Sequence, residues 1–289
     1  MRNPARRPRA AALTPILALA VALPTLLAPP AVPPAQAQDR DLRSIIQRME
    51  PAVVAVGTFQ PSRHPPVALM GTGFGIGDGS MVLTSAHVLP RMLDHQRRER
   101  IAVIRNKGDG SARDVEVITP SHVCRDDARD LALLVLGDRR LPAAVGLDVD
   151  AIVDAGLPIA FTGYPLSSAV GLHPVTHRGM VSAVAPAAVP MTDPKLLDPA
   201  VLERLRDNFD IYQLDATAYP GNSGSPLYDQ RDGRVIGILN SVYVKSTRER
   251  QLSAISEPSG ITYAIPIRFA QPLIDRARNG GCRAVDDRS

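Results

Sequence analysis

Ser223 sits between glycines in the stretch Asp215-Ala216-Thr217-Ala218-Tyr219-Pro220-Gly221-Asn222-Ser223-Gly224-Ser225-Pro226-Leu227. A hydroxyl is a weak nucleophile at neutral pH. It needs a base beside it and N–H donors aimed at the oxyanion it creates. Glycines suit the second need, because a backbone without Cβ turns sharply and can converge its N–H groups. Six histidines compete for the base. His64 lies among prolines, and His95 and His122 lie in polar loops. His173 and His177 have the spacing of a helical metal site, but Pro174 opposes a helix there, so no metal is expected. His87 leaves a strand pair through the small-residue turn Thr84-Ser85-Ala86, which would hold an imidazole at the rim of a sheet. Asp126, Asp127 and Asp130 compete to orient it. Asp130 directly precedes Leu131-Ala132-Leu133-Leu134-Val135-Leu136, a buried strand by its continuous apolarity. A half-buried carboxylate needs a partner. An imidazole N–H is such a partner and would fix the tautomer that leaves the other nitrogen as base. Backbone amides would satisfy the carboxylate as well. Taken singly, His87 is an ordinary loop histidine and Asp130 an ordinary strand-edge acid.

Short strands must position these side chains. Ala52 to Thr58, Met70 to Ile76, Met81 to Thr84, Ile101 to Arg105, Val115 to Thr119 and Leu131 to Leu136 read as strands of a first half. Gly77-Asp78-Gly79 closes a hairpin. Gly71, Gly73, Gly75 and Gly77 invite a nucleotide-binding reading, but that motif opens a helix and here a second strand follows. Polar, proline-containing sequence from Gly137 to Pro142 begins the crossing to a second half. Its strands are Ile159 to Thr162, Met180 to Val184, Ile211 to Asp215, Val235 to Val244 and Ile261 to Ile265. An insert, Ala185 to Asn208, contains a helical stretch from Pro199. A short helix through Leu42, Ile45, Ile46 and Met49, capped by Asp39 or Asp41, precedes the strands, and Ile267 to Ala277 forms a closing amphipathic helix. Many closely spaced short strands with one terminal helix indicate an all-β fold of antiparallel barrels.

The chain has 289 residues. Arg2, Arg6, Arg7 and Arg9, the apolar run Ala11 to Ala28 and the small-x-small site Ala35-Gln36-Ala37 have the layout of a secretory signal peptide, residues 1–37, cleaved after Ala37. Pro15 and Pro24 interrupt the run, which argues against a retained membrane anchor. Residues 1–37 carry four of the 33 basic side chains and none of the 29 acidic ones, so the remainder is formally neutral and gives no support for a nucleic-acid partner. About 250 residues then remain, enough for one domain of two packed halves. Export to an oxidising compartment allows Cys124 and Cys282 to pair.

In chain order His87, Asp130 and Ser223 form a set. Gly71-Thr72-Gly73-Phe74 through Thr84-Ser85-Ala86-His87-Val88, Asp130-Leu131-Ala132-Leu133-Leu134, and Asp215-Ala216 through Pro226-Leu227 resemble the histidine, aspartate and serine motifs of trypsin/chymotrypsin-fold serine endopeptidases. Within that fold the chain resembles the bacterial HtrA (Deg) branch, from Leu42 to Ile274. The resemblance implies two six-stranded antiparallel barrels, about 50–140 and about 150–267, inside a protease domain of residues 38–289 that closes with the helix 267–279. It implies Ser223 as nucleophile, His87 as base and Asp130 as its orienting acid. The N–H groups of Gly221 and Ser223 would form the oxyanion hole. Thr217, Leu239, Ser241 and Val242 would line the specificity pocket.

Some residues depart from the pattern. Ser225 stands where a second glycine is commonest, and Gly-Asn-Ser-Gly-Ser-Pro resembles the staphylococcal glutamyl-endopeptidase branch. That branch's acid-binding histidine falls near Leu239, so glutamate specificity is not expected. No carboxylate lines the implied pocket, which disfavours cleavage after Arg or Lys. Small or medium apolar side chains before the scissile bond are expected. Asn222 replaces the aspartate that zymogens pair with a freshly cut N-terminus. The PDZ domains typical of the HtrA branch are not expected after the closing helix. The expected function is a periplasmic or secreted, cofactor-free serine endopeptidase acting on unfolded polypeptide. The alternative is a chaperone-like or peptide-binding module on the same fold.

Overall fold

A computed structural model describes residues 35–107, 115–143, 146–165, 172–187, 209–240 and 261–285. The chain divides into Met1–Ala35 and Gln36–Ser289, and the architecture below belongs to the second unit. The helical part of the insert and the strand expected beyond Asn240 fall outside the described residues.

Helix α1 (Ala35–Met49) leads through a short 3-10 turn into β1 (Val53–Phe59). Asp39 and Asp41 lie inside this helix and do not cap it, because Ala35-Gln36-Ala37-Gln38 are helix formers and the helix starts before them. The first sheet continues with β2 (Val67–Ile76), β3 (Met81–Ser85), β4 (Arg100–Asn106), β5 (Val115–Ile118), β6 (His122–Asp126) and β7 (Leu131–Val135). The second sheet contains β8 (Pro158–Gly163), β9 (Val175–Pro186), β10 (Asp210–Asp215), β11 (Pro226–Asp229), β12 (Val235–Asn240) and β13 (Ile261–Pro266). Helix α2 (Gln271–Arg278) and a last strand, β14 (Arg283–Ala284), follow.

The second sheet closes into a six-stranded barrel in the order β10-β13-β12-β11-β8-β9. The first is a curled eight-stranded sheet, β14-β6-β7-β3-β2-β1-β4-β5, and not the closed six-stranded barrel expected. Two features account for the difference. One edge of β6 pairs with β7, and the other is taken by β14, through Arg283 opposite Val123 and Ala284 opposite His122. The Cys124–Cys282 disulfide holds β14 in that place. β5 is only four residues long and pairs with β4 alone among the described residues. The strands themselves form for ordinary reasons. Leu131 to Leu134 on β7 are wholly buried, each leucine contributing on the order of 2 kcal/mol by leaving water. Ile45 and Met49 bring α1 onto a core shared by both sheets, with Phe74, Tyr228, Val235 and Ile265.

Candidate active site

The register of β3 on β7 brings the first two candidate residues together. Ser85 lies opposite Leu131, so the register carried one step further sets Ala86 opposite Asp130 and leaves His87 next to it. Ala86 N–H donates to the Asp130 carbonyl at 2.9 Å and carries the ladder past the end of β3. A 3-10 turn, Ala86–Val88, then lifts His87 out of the sheet. The Asp130 carboxylate accepts from the His87 backbone N–H at 2.8 Å and faces His87 Nδ1 at 2.5 Å. Asn240 Nδ2, at the end of β12, donates to the same carboxylate oxygen at 2.7 Å. Asp130 adopts φ +54, a left-handed conformation uncommon for a residue with a Cβ and found where surrounding contacts over-determine it. With Nδ1 donating to the Asp130 carboxylate, Nε2 is left as an acceptor.

The serine segment joins this pair through the ends of β2, β3 and β12. Gly224 N–H donates to Leu239 O at 2.8 Å, and Leu239 N–H donates to Ser225 O at 2.9 Å. Ser85 Oγ donates to the same Leu239 carbonyl at 3.2 Å, which ties the end of β3 to the other sheet. Thr72 N–H donates to Ser223 O at 2.9 Å, and Thr72 Oγ1 donates to Gly221 O at 2.7 Å. The close approach explains the first glycine of the histidine motif. A Cβ on Gly71 would lie 2.6 Å from a Val88 methyl and 2.9 Å from Ser223 O. Val88, the residue after His87, and the Ser223 carbonyl therefore flank the same glycine.

Tyr219 to Asn222 form a tight turn, with Asn222 N–H donating to Tyr219 O at 3.0 Å. Pro220 fixes a negative φ at the second position, and Gly221 has φ +99 at the third. That combination is a type II turn; a type I turn would need φ near −90 at Gly221 and would reverse the Pro220–Gly221 peptide. Gly221 N–H meets no acceptor among the described residues. Asn222 is fully buried, and both polar atoms of its side chain lack a partner among the described residues.

The remaining candidates separate. Leu239 is fully buried in the barrel core and Thr217 is half-buried on the segment leading to Ser223. Ser241 and Val242 lie outside the described residues. His177 is on β9 rather than on a helix, and it stacks on Phe161 with ring centroids 5.0 Å apart. It also meets Tyr219, at 5.8 Å. Burial pushes its imidazole below the ordinary histidine range. Sequence reasoning missed Asn240. Its signal was a polar residue ending a wholly apolar strand, Val235-Ile236-Gly237-Ile238-Leu239.

Two β units, a closed barrel and a curled sheet, bring a carboxylate-held imidazole and a glycine-flanked serine to the ends of β3 and β12, an arrangement suited to hydrolysis through a serine. Residues 71–238 match the model of the trypsin-like peptidase domain, and the chain belongs to that family. It is 30% identical to a probable periplasmic serine endoprotease DegP-like of Halomonas elongata, over 73% of this chain and 36% of that protein. It is 27% identical to a putative serine protease HhoA of Synechocystis, over 76% of this chain and 46% of that protein. The chain thus spans less than half the length of these two relatives. Among solved structures, a serine endoprotease from Yersinia pestis superposes with a TM-score of 0.55 at 22% identity, covering 87% of this chain and 69% of that one. The HtrA-type protease AlgW with a tripeptide gives 0.56 at 22% identity, covering 83% and 64%.

Proposed function

We propose that the protein is an exported serine endopeptidase. Ser223 Oγ attacks the scissile carbonyl while His87 Nε2 takes its proton; the leaving amine then receives that proton, and water releases the acyl group by the same route in reverse. Asp130 holds the tautomer and stabilises the imidazolium. The N–H groups of Gly221 and Ser223 receive the oxyanion. The observation that carries the reading is the doubly anchored His87–Asp130 pair, with Asn240 as an extra donor, set against the Ser223 segment. The type II turn supports an oxyanion hole formed before substrate arrives, because it leaves the Gly221 N–H unspent. A neutral, buried Asn222 supports activity without a newly cut N-terminus, since no buried carboxylate awaits an ammonium.

Substrates are unfolded polypeptides cut after small or medium apolar residues, accommodated beside Thr217 and Leu239. Export rests on the layout of residues 1–37 and on the periplasmic description of the Halomonas relative. No helix among the described residues is long and apolar enough to cross a membrane. Casein hydrolysis by wild type, lost in both Ser223→Ala and His87→Ala while fold is retained, is the expected result. Equal hydrolysis by the Ser223→Ala variant would refute the assignment. Cleavage of a peptide library mainly after Arg, Lys or Glu would refute the specificity.

A further inference from the structure

A groove of about 890 Å³ has Leu89, two residues after His87, and Asp127, three before Asp130, in its lining. One wall is the segment that follows His87, and another is β6, which ends four residues before Asp130. The C-terminal part supplies the rest, from α2 and β14. Four arginines reach it: Arg91, Arg125, Arg276 and Arg283. Asp127 is the acid in the lining among the described residues, and it pairs with Arg125 at 2.9 Å. Arg91 and Arg276 are left with no acid partner among the described residues. Arg91 is exposed and makes no ion pair among the described residues, and Arg276 Nη1 reaches only the Arg125 carbonyl, at 3.5 Å. Beside Arg91, Met92 is 89% exposed, a large apolar side chain offered to solvent at the groove's edge.

Clustered like charge repels itself and, in a concave site, attracts a counter-charge. An apolar side chain left in water beside it selects for a partner with apolar residues as well. We propose that this groove is a binding site for an acidic polypeptide stretch carrying apolar side chains, a part of the substrate remote from the bond cut at Ser223. The identity of the occupant rests on the endopeptidase reading; the charge preference of the groove does not. The substrate would gain affinity here without altering the chemistry at the serine, so the effect falls on KM rather than kcat.

Binding is measured by fluorescence anisotropy on the full chain carrying Ser223→Ala, which removes turnover. The probes are two labelled peptides of one length, one built of Glu, Asp and Phe, the other with Gln and Asn in place of the acids. The acidic peptide binds about tenfold more tightly at low salt, as a few screened pairs would give, and the gap narrows as salt rises. It disappears in Arg91→Glu/Arg276→Glu and shrinks in Arg91→Gln/Arg276→Gln, both variants being checked for an unchanged unfolding temperature. Equal binding of the two peptides, or a preference that survives the double reversal, overturns the proposal. With Ser223 intact, the double reversal hydrolyses a short neutral peptide at the wild-type rate. Should wild type hydrolyse nothing, the endopeptidase reading fails while the binding comparison still decides the groove.

Discussion

Gly221→Ala tests the oxyanion turn by one methyl group. Gly221 has φ +99 in the type II turn Tyr219–Asn222, beyond where residues with a Cβ sit comfortably. Holding alanine there costs about 1–3 kcal/mol. Pro220 is equally at home in a type I turn, which alanine accepts without strain and which turns the Gly221 N–H away. The variant therefore has two routes. From a ground state relaxed to type I, it can restore the type II turn in the transition state at that cost, lowering kcat about 5- to 150-fold, or react in type I without one oxyanion donor, lowering kcat about 100- to 1,000-fold. The cheaper route sets the outcome, so kcat falls about 5- to 150-fold. KM changes little, because the N–H engages the oxyanion rather than the bound substrate. Stability changes by no more than the strain, since the Thr72 Oγ1 bond to the residue's carbonyl survives in either turn. Steady-state kinetics on a small ester, with thermal unfolding as control, reads all three. A variant with wild-type kcat would refute the argument that this turn forms the oxyanion site.

Asn240→Ala removes one of the three donors to the Asp130 carboxylate, and kcat/KM is expected to fall about ten- to a hundredfold, the worth of a hydrogen bond to a charged group. His177 is held below the ordinary value of 6.5 by burial, so the unfolded chain takes up its proton first as pH drops. Its stability contribution is intact above about pH 6.5 and is lost as pH falls through 6.5 toward the folded value. Urea unfolding at about pH 7.5 and about pH 5 should show a smaller acid loss for His177→Phe than for wild type. Reducing Cys124–Cys282 opens a loop spanning 158 residues, which chain entropy values at up to about 5 kcal/mol. A lower unfolding temperature in reductant is expected, and none in a Cys124→Ala/Cys282→Ala variant.

The candidate residues were singled out in the sequence by their offsets from the strands that carry them. His87 follows a hairpin and Asp130 abuts an apolar run, and the β3–β7 register then makes them meet. Asn240 was invisible for the opposite reason. It acts across 110 residues of sequence, and a polar residue ending an apolar strand does not say which partner it will meet. β6 was missed because His-Val-Cys-Arg-Asp neither alternates nor runs apolar, and β11 because Pro-Leu-Tyr-Asp is short and begins with proline. That the first sheet stays open was not legible either, because the edge of β6 is taken by β14, two residues whose place is set by pairing and a disulfide rather than by propensity. His177 shares with His173 a metal-like spacing that Pro174 argues against, and β9 turns its ring onto Phe161.

The most direct measurement of the central claim is covalent. Wild-type protein is treated with a fluorophosphonate serine probe, digested, and mapped by mass spectrometry. One adduct is predicted, on the peptide containing Ser223; it forms far more slowly in His87→Ala and is absent in Ser223→Ala. No adduct on native protein, or an adduct on another serine that forms equally well without His87, would contradict the account.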